Sequence, residues 1–159
     1  MRNFESMAAL AAHLAGATGL MRAVEHSALE HCARLVEEAA KEEIGTYQTA
    51  IGPFDAWAPL ADSTEAAKAS AGYPADAPLL ATGALRNSIG HEVEGSTAII
   101  GSTDEKMIYH ELGTSKMPPR PVMVPALLRN KEKILEILGE ATFEGIVAGQ
   151  IVGSERLKL

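Results

Sequence analysis

Residues 85–102, LRNSIGHEVEGSTAIIGS, predict a β-hairpin in a chain that is otherwise rich in helix-forming residues. Two segments with β-branched residues, Leu85–Glu94 and Thr97–Ser102, flank the dipeptide Gly95-Ser96, which is typical of tight turns. We therefore expect a small antiparallel sheet built around this hairpin, inside an α+β domain with a long N-terminal helix and a C-terminal helix.

The segment before the hairpin predicts a long amphipathic helix. The chain is rich in alanine, leucine and glutamate over residues 3–44, and apolar residues recur at helical spacing over residues 24–39. Gly16 and Gly19 predict a break between a short first helix and the long one, and Gly45 predicts its cap.

The segment after the hairpin predicts a second long helix, from Pro125 to about Val147, packed across the sheet. Pro125 suits the first helical position, where no backbone donor is needed. Between the hairpin and the N-terminal helix, proline-rich residues 52–78 predict loops with one short helix at residues 64–71. Within this region Trp57 is the expected anchor of the core.

Length indicates a single domain. A chain of 159 residues falls within the usual span of one domain, about 100–200 residues. We expect residues 1–20 to form a helical extension, residues 21–148 to form the α+β domain, and residues 149–159 to be a flexible tail.

Charge and cysteine content argue against several classes of protein. With 21 acidic and 14 basic residues, the chain carries a formal net charge of −7, which disfavours tight binding to bare DNA. Cys32 is the single cysteine, so an intrachain disulfide is excluded and a reducing cytoplasm fits. The apolar run at residues 7–20 is too short and too rich in alanine to predict a membrane span.

The dipeptide His110-Glu111 is the first candidate for chemistry, because a zinc protease motif begins in this way. That motif needs a second histidine one helical turn later, and residue 114 is threonine. We therefore expect no metal here, and His110 hydrogen-bonded locally or lying at an interface. A second cluster, on the long helix, is also poorly spaced to hold one ion; it comprises His26, His31 and Cys32.

Ser88, His91 and Glu92 contain the residue types of a nucleophilic triad. They lie on one predicted strand, however, where neighbouring side chains alternate between the two faces. We therefore expect no catalytic residues and no cofactor, and we expect Cys32 to be a buried thiol.

Two stretches are conformationally demanding. Residues 82–89, TGALRNSI, join a glycine turn to the start of a strand. Pro118-Pro119-Arg120-Pro121 fixes φ at three of four consecutive residues, so this segment is either a docking arm or a stiff connector into the C-terminal helix. We expect Arg120 to be exposed on it, ready to pair with a carboxylate of a neighbouring subunit.

The order of these motifs resembles the phage tail-component and virion-morphogenesis families, which include tail-completion proteins and the lambda-type minor tail protein Z. The resemblance spans about residues 20–148. Family members often have phenylalanine after the proline arm, where this chain has Val122 or Met123. The motifs that carry the resemblance are WAPL at 57–60, PLLATGALRNSI at 78–89, IGS at 100–102, YHELGT at 109–114, and MPPRP at 117–121 followed by PA at 125–126.

This resemblance implies a structural virion protein without catalysis, acting in tail completion or head-tail joining. It implies other tail or neck proteins as partners, self-association into a ring, and passage of DNA without sequence-specific binding. The chain would assemble in the host cytoplasm and reside in the virion. The residues marked for assembly are Trp57, Thr82, Gly83, Leu85, Arg86, Ser88, His110, Glu111, Gly113, Thr114, Pro118, Arg120 and Pro121.

Two other classes of function stay open. One is a metal-dependent hydrolase centred on His110 and Glu111. The other is a binding module of host origin that pairs through its long helix.

Overall fold

The computed structural model describes residues 6–155, except for the side chains of His13 and of residues 146–155. It confirms the predicted α+β class, with a long N-terminal helix, an antiparallel hairpin and a C-terminal helix. The short helix predicted for residues 64–71 corresponds to α2. The elements are α1 (Met7–Glu43), α2 (Asp62–Ser70), α3 (Ala84–Asn87), β1 (Ile89–Glu94), β2 (Thr97–Ser102), α4 (Lys106–Leu112), α5 (Met123–Arg129) and α6 (Lys131–Glu155).

Helix α1 is one continuous helix of 37 residues. Ser6 begins it, because the Ser6 hydroxyl accepts a hydrogen bond from the N–H of Ala9 at 3.1 Å. The predicted break at Gly16 and Gly19 is therefore wrong. Each glycine costs a helix only about 1 kcal/mol, and the alanines around them favour helix. Residues 7–20 are part of helix α1, which continues into the domain, and they do not form a separate helix.

The C-terminal end of α1 follows the prediction. The helix ends at Glu43, and Gly45 then turns the chain with a φ of +101°. The N–H of Gly45 donates to the carbonyl of Pro78 at 2.8 Å. This bond ties the end of the helix to the loop that precedes α3.

By length and composition, α1 is the one helix in the described part of the chain that could cross a membrane. Its apolar window lies near the N-terminus and is not buried in the domain. Length and composition alone do not distinguish a membrane span from other apolar helices, so the predicted absence of a membrane span stays a prediction.

Helix α6 packs along α1. Ala28 and Cys32 of α1 are buried against Ile137, and Met21 lies beside Gly145, so the two helices run antiparallel. The predicted packing of the C-terminal helix across the sheet is wrong, because the sheet also lies against α1 and the apolar stripe of α6 covers a different part of that helix. The prediction of a buried thiol at Cys32 is confirmed.

The single C-terminal helix that was predicted is divided at Asn130 into α5 and α6. Pro125 is the third residue of α5 and not the first, a position that still lies in the first turn, where no backbone donor is needed. Helix α6 continues to Glu155, so residues 149–155 of the predicted tail are helical. Residues 156–159 lie outside the described part of the chain.

The main core forms where α1, the hairpin and α5 meet around Trp57. Trp57 is 6% exposed, which confirms it as a core anchor. The buried residues of this core are Val36, Ala40, Ile44, Trp57, Leu85, Ile89, Met107, Val122 and Ala126.

Strands β1 and β2 pair antiparallel around the predicted turn at residues 95–96. The inner face of the hairpin includes Ile100, which packs on the core, and His91, which contacts α1. The outer face includes Glu92 and Glu94, both of which are exposed. This alternation places one polar group, the His91 ring, between the sheet and the helix.

Residues 84–87 form helix α3, which corrects the prediction of a strand from Leu85 onwards. Gly83 has a φ of +82°, and the hydroxyl of Thr82 accepts from the N–H of Ala84 at 3.2 Å. These two features start a helical turn. The turn delivers Leu85 into the core, and β1 begins only after it.

Candidate functional site

Most of the motif residues lie in one folded segment, residues 110–122, which we call the latch. Helix α4 ends at Leu112, and Gly113 then turns the chain with φ 72° and ψ 176°, a conformation open almost only to glycine. The N–H of Thr114 donates to the carbonyl of Met117 at 2.8 Å, which closes the turn. The latch therefore folds back towards α4 and does not extend from the domain.

Arg120 holds the latch in place. Its backbone N–H donates to the carbonyl of His110 at 2.6 Å, and its Nη2 donates to the carbonyls of Ala58 and Pro59 at 3.0 and 3.3 Å. The residue is 5% exposed, so the expectation of an exposed arginine on a docking arm is wrong. Two hydrogen bonds to carbonyls of the segment beside Trp57 offset part of the cost of burying the guanidinium.

Glu111 fixes the other end of the latch. Its Oε1 accepts from the N–H groups of Val122 and Met123, each at 2.9 Å. These N–H groups lie at the start of α5, where the helix offers unpaired donors and a partial positive charge. Glu111 therefore caps α5, and its carboxylate is engaged by backbone donors.

The His110 ring does not make the local hydrogen bond that was expected; only its carbonyl does. Its Nδ1 is buried and has no partner among the described residues. Burial, assisted by the positive charge of Arg120, lowers the pKa of His110. Within the described side chains, no group of three or more His, Cys, Asp or Glu residues is placed to hold a metal ion.

Trp57 joins the first motif to the last. Its Nε1 donates to the carbonyl of Pro121 at 3.2 Å, while its backbone N–H donates to Gln48 at 3.0 Å. Directly after Pro121, Val122 is completely buried in the same core. Val122 thus fills the core position at the end of the latch.

The second group of motif residues, 82–88, lies at the open end of the hairpin. Leu85 shares the core with Trp57, while Arg86 is exposed. The hydroxyls of Ser88 and Ser102 are 2.7 Å apart and join the two ends of the paired strands. This group and the latch therefore meet through buried apolar contacts.

The side chains of Ser88, His91 and Glu92, the residue types of a nucleophilic triad, do not meet at one place. The Ser88 hydroxyl is hydrogen-bonded to Ser102 and to the carbonyl of Leu85, and the Glu92 side chain faces outwards. The His91 ring points to α1 instead. Ser88 also lies just before β1 and not on it, so these three side chains point in different directions.

His91 bridges the hairpin to two carboxylates of α1. Its Nδ1 is hydrogen-bonded to Glu37, and its Nε2 lies 3.0 Å from Glu30 Oε1. Lys41 and Arg34, also on α1, pair with the same two carboxylates. The hydrogen bonds to Glu30 and Glu37 raise the pKa of His91, and the carboxylates in turn have lowered pKa values.

We expect this bridge to make stability depend on pH. Because the pKa of His91 is raised on folding, its contribution is complete below its ordinary pKa of 6.5 and is lost as the pH rises through the raised value. The two carboxylates have lowered pKa values, so their contribution holds above 4.5 and is lost on acidification. The stabilisation by the bridge is therefore largest between these limits.

The measurement is urea unfolding of the wild-type chain and of His91→Gln at about pH 5.5 and about pH 8.5, on either side of the ordinary histidine pKa. Glutamine keeps a polar side chain but cannot be protonated. We expect the wild type to exceed the variant in unfolding free energy more at the lower pH than at the higher. An equal difference at both values would exclude a charged His91 bridge.

The buried Glu43 forms an ion pair with the partly exposed Arg129, which sequence reasoning missed. Arg129 Nη1 lies 2.8 Å from Glu43 Oε1, and Nη2 donates to the carbonyl of Thr49. Burial raises the pKa of Glu43 to about 7, against the opposing effect of Arg129. The signal was available, because Glu43 follows Val36 and Ala40 at helical spacing on the buried side of α1.

A cavity of about 470 Å³ lies between the latch, α2 and the loop before α3. Three basic residues contribute to its wall: Lys68 of α2, Lys116 of the latch turn, and Arg120. The rest of the wall is mainly apolar and is formed by Pro59, Leu60, Ala61, Leu79, Leu80, Ala81, Met117 and Pro118, with Thr64 and His110. The sequence did not predict that Lys68 and Lys116 line one cavity, because the two residues lie on segments far apart in the chain.

Helix α4 presents an exposed apolar face beside the latch. Ile108, Tyr109 and Leu112 are 57%, 55% and 77% exposed. Large apolar side chains that cluster on a surface are typical of protein contacts.

Comparison with family models, curated proteins and solved structures finds no match for this chain.

Proposed function

We propose that this chain is a non-catalytic structural protein of a phage virion, which acts in tail completion or head-tail joining. The observation that carries this proposal is the shared use of the motif residues. Trp57, Glu111 and Arg120 come from different motifs, and all three hold the same latch in place. The motifs together build one rigid unit. Such a unit is what we expect of a protein that works by presenting a fixed surface to its partners.

The surface in question is the exposed face of α4. The latch and the core hold this short helix from both sides, since Met107 is buried and Gly113 turns directly after the helix. The fold therefore presents Ile108, Tyr109 and Leu112 to a partner on a helix that is already ordered. Ordering before binding lowers the entropy lost on association, which favours assembly.

Other tail or neck proteins and further copies of the chain are the partners in this proposal. DNA would pass such an assembly without sequence-specific binding, in keeping with a formal net charge of −7. The chain would assemble in the host cytoplasm and remain in the finished particle.

The rival metal-dependent hydrolase draws little support from the geometry of His110 and Glu111. The Glu111 carboxylate already accepts two backbone hydrogen bonds at 2.9 Å. Only the other carboxylate oxygen, Oε2, would be left to activate water or bind a metal while Glu111 caps α5.

The test is complementation of a phage that lacks this gene, scored by infectious titre and by detection of the chain in purified particles. Wild-type protein should restore the titre, and Leu112→Asp should reduce it by at least about tenfold, because an added charge in a contact costs more than 1.4 kcal/mol. Leu135→Asp is the matched control, since Leu135 is 59% exposed on α6. Absence of the chain from particles, or full titre without the gene, would overturn the proposal.

A further inference from the structure

Arg120 is a buried cation without an anionic partner. Its Nη2 is bound only to neutral carbonyls, and its Nε is buried with no partner. In the part of the chain that the structure describes, no carboxylate lies within ion-pair distance of it. A buried guanidinium with only neutral partners gains much from a carboxylate placed beside it.

The wall of the cavity at Arg120 combines positive charges with apolar side chains. Lys68 and Lys116 add two more positive charges to its wall, and no aspartate or glutamate is among the described residues that line it. Asp76 and Glu65 lie outside this wall, near enough to Lys68 for their charges to act on it. The Lys68 ammonium is hydrogen-bonded to the carbonyl of Ala77, which holds it in position. The remaining wall is mainly apolar, with Thr64 and His110 as its other polar residues. A carboxylate next to an aliphatic side chain matches this surface in both charge and polarity.

The same chain carries that combination on the outer face of its hairpin. Glu92 and Glu94 are exposed there, and Ile99, which is paired with Glu92 across the strands, is 60% exposed. Within the described structure, neither glutamate makes an ion pair and none of the three residues lines the cavity. The two complementary surfaces are therefore free to meet between copies.

We propose that the cavity walled by Lys68, Lys116 and Arg120 receives the outer face of the hairpin of a second copy of this chain. Such a contact joins two different surfaces, so copies associate head to tail and form a ring or an open chain. The contact deepens the proposed function and rests on it, because it supplies the self-association that a ring-forming virion protein needs.

The experiment is sedimentation velocity of the full chain over a range of concentrations. Wild-type protein should associate as its concentration rises. Lys116→Glu and the double variant Glu92→Lys/Glu94→Lys should each associate at least about tenfold more weakly, because each places like charges in the contact. The matched controls are Lys131→Glu and the double variant Glu132→Lys/Glu140→Lys, which make the same charge changes at exposed positions of α6 and should associate like wild type.

Mixing the two defective proteins identifies the contact itself. Lys116→Glu keeps an intact hairpin, and Glu92→Lys/Glu94→Lys keeps an intact cavity, so an equal mixture should form a one-to-one complex that neither protein forms alone. A wild-type chain that stays monomeric, variants that associate like wild type, or a mixture without heterodimer would each overturn the contact. Those results would leave the presence of the chain in phage particles, measured separately, unaffected.

Discussion

Replacing Gly113 by alanine is expected to destabilise the fold by about 2–4 kcal/mol, because strain and overlap act together at this residue. Its φ of 72° and ψ of 176° belong to a region that residues with a side chain rarely adopt. A Cβ at this position would lie 2.8 Å from the backbone nitrogen of Pro119 and 3.0 Å from the carbonyl oxygen of Met117. Both neighbours are backbone atoms of the latch, so the whole turn must move to admit the methyl group.

The matched control is Gly72→Ala. Gly72 has a similar φ of +78°, but a Cβ there would meet nothing within 4 Å. Gly72→Ala should therefore lower the free energy of unfolding only by the backbone strain, about 1–2 kcal/mol. The measurement is urea unfolding followed by circular dichroism. Equal losses of unfolding free energy in the two variants would mean that the latch leaves room for a Cβ at residue 113.

Replacing Trp57 by alanine is expected to cost about 3–5 kcal/mol, the range for removing a large aromatic side chain from a core. The side chain is 6% exposed, and its Nε1 bond to the carbonyl of Pro121 would be lost as well. Because the loss approaches the total stability of a typical domain, about 5–15 kcal/mol, much of the purified variant should be unfolded on moderate heating.

Trp57→Phe separates packing from hydrogen bonding. Phenylalanine keeps an aromatic ring in the core but cannot donate to Pro121, so a loss of only about 1–2 kcal/mol is expected. Trp57 is the single tryptophan, so neither variant retains a tryptophan and the unfolding must be followed by circular dichroism. Near-equal stability of Trp57→Ala and the wild type would show that the indole is not an anchor of this core.

The features that sequence predicted correctly are those with a local cause. The turn at residues 95–96 and the cap at Gly45 depend on a few adjacent residues, and both are present. The helix break at Gly16 failed because the helical preference of the surrounding alanines outweighs a small local penalty. Helix α3 was missed because four residues are too few to establish a helical period.

The candidate site could be predicted only in part, because its contacts join distant segments. The proline-rich motif predicted a rigid segment at Arg120, but the partners of Arg120 are the carbonyls of Ala58 and Pro59, which lie 62 and 61 residues earlier. No local pattern specifies such a pairing. The same reason hid the cavity, to which Lys68 and Lys116 contribute from separate parts of the chain.

The antiparallel packing of α1 on α6 also determines what happens while the chain is being synthesised. The residues that cover Ala28 and Cys32 lie near Ile137, about 100 residues later. At about 5–20 residues per second, the ribosome needs roughly 5–20 s to deliver them. During that interval the apolar stripe of α1 faces water or a chaperone, and its thiol is open to oxidation. Slow translation of residues 33–137 would therefore reduce the yield of folded protein more than slow translation of residues 1–32.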